Sequence, residues 1–235
     1  MCKKEAEDMM LAVNNNNNKT PYNSFKSASN VKKGYIARRY HTSEAVEFKT
    51  KMKSAAGAII GTTLPLLFFT RKKPSLKNII NMKYGLKEML VTSIAGITGG
   101  AAFGMIGESD KKRERKRKEA VFQIMNCTLP LLGVAGFLKI SEKTKALNNK
   151  PAKVIGTLVG VTAGMFGGAK LSNLINDPKD LEPDRKIELK DTIANVDDVF
   201  SALVLAKFPF IDKLHIEKLL PVIFAWCGYR AGQSN

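Results

Sequence analysis

Val154-Ile-Gly156-Thr-Leu-Val-Gly160-Val-Thr-Ala-Gly164-Met-Phe-Gly-Gly168-Ala169 is an uncharged run with a glycine at every fourth position. At 3.6 residues per turn, Gly156, Gly160, Gly164 and Gly168 fall along one slowly drifting side of a helix. In water so many glycines weaken a helix by roughly 1 kcal/mol each relative to alanine. In a bilayer the same spacing lets a neighbouring helix approach to backbone contact, the small-residue rule of transmembrane packing. A second ladder stands earlier, as Thr92, Gly96, Gly100 and Gly104. These seven glycines are the expected helix-packing residues.

Both ladders belong to a larger repeat. Thr63-Leu64-Pro65-Leu66-Leu67 recurs as Thr128-Leu129-Pro130-Leu131-Leu132, and Ile94-Ala-Gly96-Ile-Thr98-Gly-Gly100 recurs as Leu158-Val-Gly160-Val-Thr162-Ala-Gly164. One gap in the linker aligns two whole units, each a Pro-bearing helix followed by a Gly-bearing helix. A weaker third copy pairs Phe208-Pro209-Phe210 with Gly228-Tyr-Arg-Ala-Gly232. A unit that repeats its apolar pattern stacks on its siblings because it cannot bury that surface alone. The expectation is therefore two or three hairpins meeting around a central glycine seam.

Charge frames these runs. The 235 residues carry a net charge of +17, and the mean hydropathy of −0.13 averages apolar runs with linkers dense in Lys and Arg. Residues 54–70, 89–107, 120–138 and 154–169 are free of charge. At about 1.5 Å per residue, they approach or reach the roughly 30 Å hydrocarbon core. Pro65 removes a backbone donor in the first run, where Thr62 and Thr63 are placed to satisfy the freed carbonyl. Because the cations flank the apolar runs, an anionic lipid bilayer is the favoured partner, ahead of nucleic acid. Residues 108–119 hold seven basic side chains without aromatic interleaving, which suits a membrane anchor better than a nucleic-acid patch. Residues 71–87 read either as a short interfacial helix, with Leu76, Ile79, Ile80, Met82 and Leu86 mostly on one side, or as an ordinary solvated loop.

The termini differ. Residues 1–42 are polar and basic, with a low-complexity run at Asn14–Asn18, and read as disordered. No secretory signal is visible there. Residues 37–43 loosely resemble the end of an organellar transit peptide, against which stand the acids Glu5, Glu7 and Asp8. A helix is expected to start at Thr42 or Ser43, with Glu44 and Glu47 in its first turn. Residues 171–198 form the acidic stretch, whose spacing does not fit a calcium loop. Residues 199–211 and 219–229 are apolar pieces too short to span unaided.

Chemistry is sparse. His41 and His215 are far apart, and no metalloprotease, nucleophile or phosphate-loop motif is present. Cys2, Cys127 and Cys227 show neither zinc spacing nor a disulfide framework. The chain therefore reads as not an enzyme, with no catalytic, cofactor-binding or metal residues. An ionisable group within the membrane is expensive and marks function by default. Lys207 and Arg230 are the candidates, and with Asn126 they could line a polar path.

The expected fold is all-α: an integral membrane helical bundle built from two to three repeated Pro-helix/Gly-helix hairpins. Its parts are a basic segment (1–42), hairpin repeat one (43–107), a charged linker (108–119), hairpin repeat two (120–170), an acidic linker (171–198) and a degenerate third hairpin (199–235). At least four spans are expected. The leading role is a structural or interaction module that assembles with itself or a membrane-protein partner. A small-solute or ion channel or carrier is the alternative. The charge suits a bacterial inner membrane, with a mitochondrial membrane as the alternative. If both helices of a hairpin span, the linkers at 71–87 and 108–119 lie on opposite sides. Single cysteines placed in each should then react with a membrane-impermeant thiol reagent from opposite faces of the membrane, and labelling of both from one face overturns the arrangement.

Overall fold

The computed structural model describes residues 46–70, 75, 78–79, 82–181, 184, 196–207 and 215–234. The disordered segment, the transit-like residues, residues 182–183 and 185–195 of the acidic stretch and Phe208-Pro209-Phe210 lie outside them, as do Leu76 and Ile80 of the interfacial segment. The described chain is helical: α1 (Phe48–Phe69), α2 (Leu86–Gly104), α3 (Asp110–Lys143), α4 (Lys150–Asn176), α5 (Val196–Leu205), a 3₁₀ turn (Ile216–Leu219) and α6 (Leu220–Ala231).

Local chemistry sets the helix starts. α1 begins after Glu47, whose φ of −57° and ψ of 141° are not helical; the expected start at Thr42 or Ser43 lies outside the described residues. At α2 the Glu88 carboxylate accepts from the Gly85 N–H at 3.1 Å and caps the first turn. At α4 the Asn149 side chain accepts from the Ala152 N–H at 2.8 Å, with a proline in the first turn, where its missing donor is harmless. Gly107 takes φ +79°, and this left-handed residue turns the chain from α2 into α3.

The seven cations of residues 108–119 do not form a separate linker conformation. α3 starts at Asp110 and runs unbroken through them into the apolar run, for 34 residues in all. Lys, Arg and Glu are good helix formers, and no glycine interrupts residues 108–132. Pairs at helical spacing, such as Lys118 with Glu114 at 3.2 Å, add a few tenths of a kcal/mol.

α1, α3 and α4 are long and apolar enough to cross a membrane. α2 is not, so among the described residues three candidates stand where four were expected. Lys87 and Glu88 occupy its first turn and it stops at Gly104, leaving sixteen uncharged residues, or about 24 Å. α1 packs along α2, and α3 along α4. Both pairs are antiparallel: Gly57 lies against Gly99 and Gly61 against Ala95, while Gly133 lies against Gly160 and Gly168 against Met125 and Asn126. α6 lies against α1 and α2, and α5 covers α3 and α4.

Large apolar side chains point outward. On α4, Ile155, Phe166 and Leu174 are about 60% exposed, and on α1, Ile59, Leu64 and Phe68 are exposed. Glycine, alanine, serine and threonine fill much of the interior, with Ser54, Thr92, Ser172 and Ala202 fully buried. Three clusters complete it. Leu66, Tyr84, Met89, Leu131, Ile216 and Phe224 form one near the end of the bundle that holds Tyr84. Ile97, Cys127, Cys227 and Ala231 join α2, α3 and α6, and Val134, Val161, Met165 and Ala202 join α3, α4 and α5. In the interfacial segment, Ile79 and Met82 pack on the Tyr84 cluster.

Candidate interaction site: glycine contacts and a buried lysine

The two ladders face different partners. Gly96, Gly100 and Gly104 of α2 meet α6: a methyl group added at Gly100 would sit on the Gly228 carbonyl oxygen, and one at Gly104 on the Gly232 carbonyl and the Ser54 hydroxyl. The relation is mutual, since Gly228 abuts the Gly96 carbonyl and Gly232 the Gly100 carbonyl. The register Gly96–Gly228, Gly100–Gly232 makes α2 and α6 parallel. Carbonyl oxygens lying on glycine Cα atoms is the geometry of Cα–H···O contacts between helices, each a fraction of a kcal/mol.

The second ladder faces its own antiparallel neighbour. Gly156 abuts the Phe137 ring, Gly160 the backbone of Gly133 and Val134, Gly164 the backbone of Leu129 and Pro130, and Gly168 that of Met125 and Asn126. In the first pair α2 uses another side toward α1: Ala95, Gly99 and Phe103 meet Gly57 and Gly61. Matched positions of the two units therefore pack one residue apart, about 100° around the helix. A single seam holding both ladders is not what the chain builds. Of the matching positions on α4, Val159 and Ala163 are exposed, and Gly167 has nothing within 4 Å of an added methyl group.

At the end of the α2–α6 contact sits Lys116, fully buried despite its place in the charged part of α3. Its ammonium donates to the carbonyl oxygens of Gly232 and Ser234, both at 2.9 Å. Loss of solvation holds its pKa below the ordinary lysine value; the Glu108 carboxylate acts the other way and Lys112 adds to the lowering. Two further cations bind carbonyls at this end: Lys53 donates to Ile106 at 2.7 Å and Arg113 to Met105 at 3.2 Å. Thr50 donates to Glu108 at 2.7 Å, and the Asn176 amide to the Lys118 carbonyl at 3.0 Å. Carbonyls left over at helix C-termini attract cations through both hydrogen bonds and the macrodipole.

Charge alone suggests that Lys116 is exposed, and its burial shows in the sequence only through spacing. The signal was present: 116, 120, 123, 127, 130 and 134 repeat at alternating spacings of four and three, and all six are buried. Only helical continuity through residues 110–119 brings Lys116 into that register.

The three polar-path candidates occupy different levels. Asn126 is buried on α3 against Gly168, and neither its amide oxygen nor its nitrogen has a partner among the described residues. Lys207 is exposed in a left-handed turn just after α5, whose Val204 packs in the Tyr84 cluster. Arg230 is half-buried near the C-terminus of α6, toward the Lys116 end. At the Tyr84 end the phenol is itself buried without a partner among the described residues, and burial, then the nearby Glu217 carboxylate, hold its pKa above the ordinary value. Thr63 donates to the Ile59 carbonyl rather than to the Gly61 carbonyl that Pro65 deprives of its usual donor.

Among the described residues, no group of three or more His, Cys, Asp or Glu side chains is placed to hold a metal ion. Comparison with family models, curated proteins and solved structures found no match to this chain.

Gly100→Ala should destabilise the bundle by about 2 kcal/mol through overpacking, whereas Gly136→Ala, with open space around it, should be neutral or stabilising; thermal unfolding in detergent checks the contrast. Lys116→Met removes two hydrogen bonds from an ammonium and should lower stability by about 2 kcal/mol, with faster carboxypeptidase trimming of the C-terminus. The folded state holds the Lys116 proton less tightly than the unfolded chain, so the unfolded chain binds more protons just below the ordinary value of 10.5. This group's contribution to stability should therefore rise with pH across that interval, and the melting temperature of wild type minus that of Lys116→Met should rise with it.

Proposed function

We infer that this chain is a multi-pass membrane protein whose role is structural: a helix-packing module held together by glycine contacts. The observation that carries the reading is the inversion of the usual distribution, with large apolar side chains outside and small residues inside. A soluble helix buries one apolar stripe, whereas α1, α3 and α4 are apolar over most of their circumference, as membrane spans are. On this reading α2 crosses beside α1 despite its shorter apolar run. Lys87 and Glu88 then lie at the headgroup level.

The internal repeat belongs to this proposal. It supplies two Pro-helix/Gly-helix hairpins and a third Gly-helix, α6, whose glycine pair completes the first ladder. Because both ladders are occupied within the chain, association with a second copy or a membrane-protein partner falls to the exposed faces of α1 and α4. The excess of cations at both ends suits an anionic membrane, such as a bacterial inner or a mitochondrial one. No catalytic chemistry is assigned.

One observation favours the alternative of a path for an ion or small solute. The Asn126 amide is buried and unpartnered among the described residues, and a polar group inside a membrane is costly unless it meets a partner or a water-filled path.

Two measurements test these readings. Alkaline carbonate and high salt should leave the protein in the membrane pellet, because screening releases surface-bound proteins and not spanning helices; release into the supernatant would overturn the membrane reading. The purified protein in planar bilayers should give no conductance if its role is structural. Conductance that disappears in Asn126→Leu would favour the path.

A further inference from the structure

An open groove of about 530 Å³ runs between α1 and α2, lined by neither ladder nor Lys116. Leu64, Pro65 and Phe68 form one wall, Val91 and Ala95 the other, and Gly61 and Thr98 its inner end. Its surface is almost wholly apolar, and the side chain of Lys87 stands at its mouth. Glu88, the neighbouring acid, is turned back onto the Gly85 N–H and is engaged in capping α2.

The dimensions match one leaflet. Lys87 and Thr98 are eleven residues apart on α2, which is about 16 Å along the axis. Half of the hydrocarbon core is about 15 Å. A chain entering beside Lys87 therefore reaches the midplane at Gly61 and Thr98. The groove exists because Gly61 and Ala95 let the two helices approach closely, and bulkier residues resume beyond them: the Gly61 position lies against the Ala95 carbonyl, while Leu64, Phe68 and Val91 flare outward, all exposed.

We propose that this groove is a binding site for one acidic glycerophospholipid, with an acyl chain lying between α1 and α2 and the phosphate held by Lys87. The proposal rests on the membrane-embedded reading and deepens it from general affinity for anionic lipid to a single built site. Charge complementarity selects the occupant. A neutral apolar chain would fill the walls equally well, but the exposed ammonium at the mouth favours a headgroup of net negative charge over a choline headgroup, whose phosphate carries its own compensating cation.

The test uses the full chain in mild detergent, titrated with phosphatidylglycerol or phosphatidylcholine of equal chain length, with bound lipids counted by native mass spectrometry. One phosphatidylglycerol should be held about fivefold more tightly than phosphatidylcholine, the effect of one lysine near a headgroup. Lys87→Gln should abolish that preference and keep the phosphatidylcholine adduct. Val91→Trp, which fills the groove from its wall, should remove both adducts. Lys139→Gln, an exposed lysine on α3, should change neither. Selectivity that survives Lys87→Gln, or adducts that survive Val91→Trp, overturns the site. Leu64→Trp fills the groove from the other wall and replaces Val91→Trp if circular dichroism shows that variant misfolded. The two readings fail separately: loss of the groove leaves the protein in the carbonate pellet, whereas loss of the membrane reading releases it.

Discussion

The approach of backbone to backbone where α6 meets α2 constrains the rest of the bundle. With Gly228 against the Gly96 carbonyl and Gly100 against that of Gly228, no side chain separates the helices, and even a methyl group has no room. Attraction at such an interface comes from dispersion and weak Cα–H···O contacts over the whole length of approach. It contains little apolar area whose removal from water could drive assembly. The large side chains are consequently left outside, on faces where hydrocarbon is as good a neighbour as protein.

Parallel packing of α2 and α6 sets an electrostatic problem at one end. Two helix C-termini, each with leftover carbonyls and a partial negative charge, come side by side. The chain places cations there: Lys53 on the Ile106 carbonyl, Arg113 on Met105 and Lys116 on Gly232 and Ser234. Part of the basic segment that looks like a membrane anchor thus serves inside the fold. Burying the Lys116 ammonium is unfavourable in itself, and two short charge-assisted bonds offset that loss.

Likeness between the two glycine ladders in sequence does not impose likeness in packing. α2 is contacted on two neighbouring sides, by α1 through Ala95 and Gly99 and by α6 through Gly96 and Gly100. Among the described residues α4 meets α3 on its glycine side, with α5 covering part of the pair elsewhere. Two ladders that read alike therefore do different work, one joining distant parts of the chain and the other closing a local antiparallel pair. The groove at Lys87 belongs to the first pair, where this rotation sets Leu64 and Val91 on opposing walls.

Much of the architecture was legible from residue types and spacing. Helical class, apolar runs and glycine faces all follow from local rules that act within a few residues. Those rules could not supply partners. Nothing in Gly100 or Gly160 distinguishes a glycine that meets α6 from one that meets α3, because both need only a small residue at helical spacing. Lys116 shows the same limit: its chemistry says exposed, and its burial depends on α3 continuing through the charged segment and on α6 ending beside it. Local sequence sets which surfaces can approach closely; which of them meet is decided by the whole chain, since each contact depends on residues tens to more than a hundred positions away.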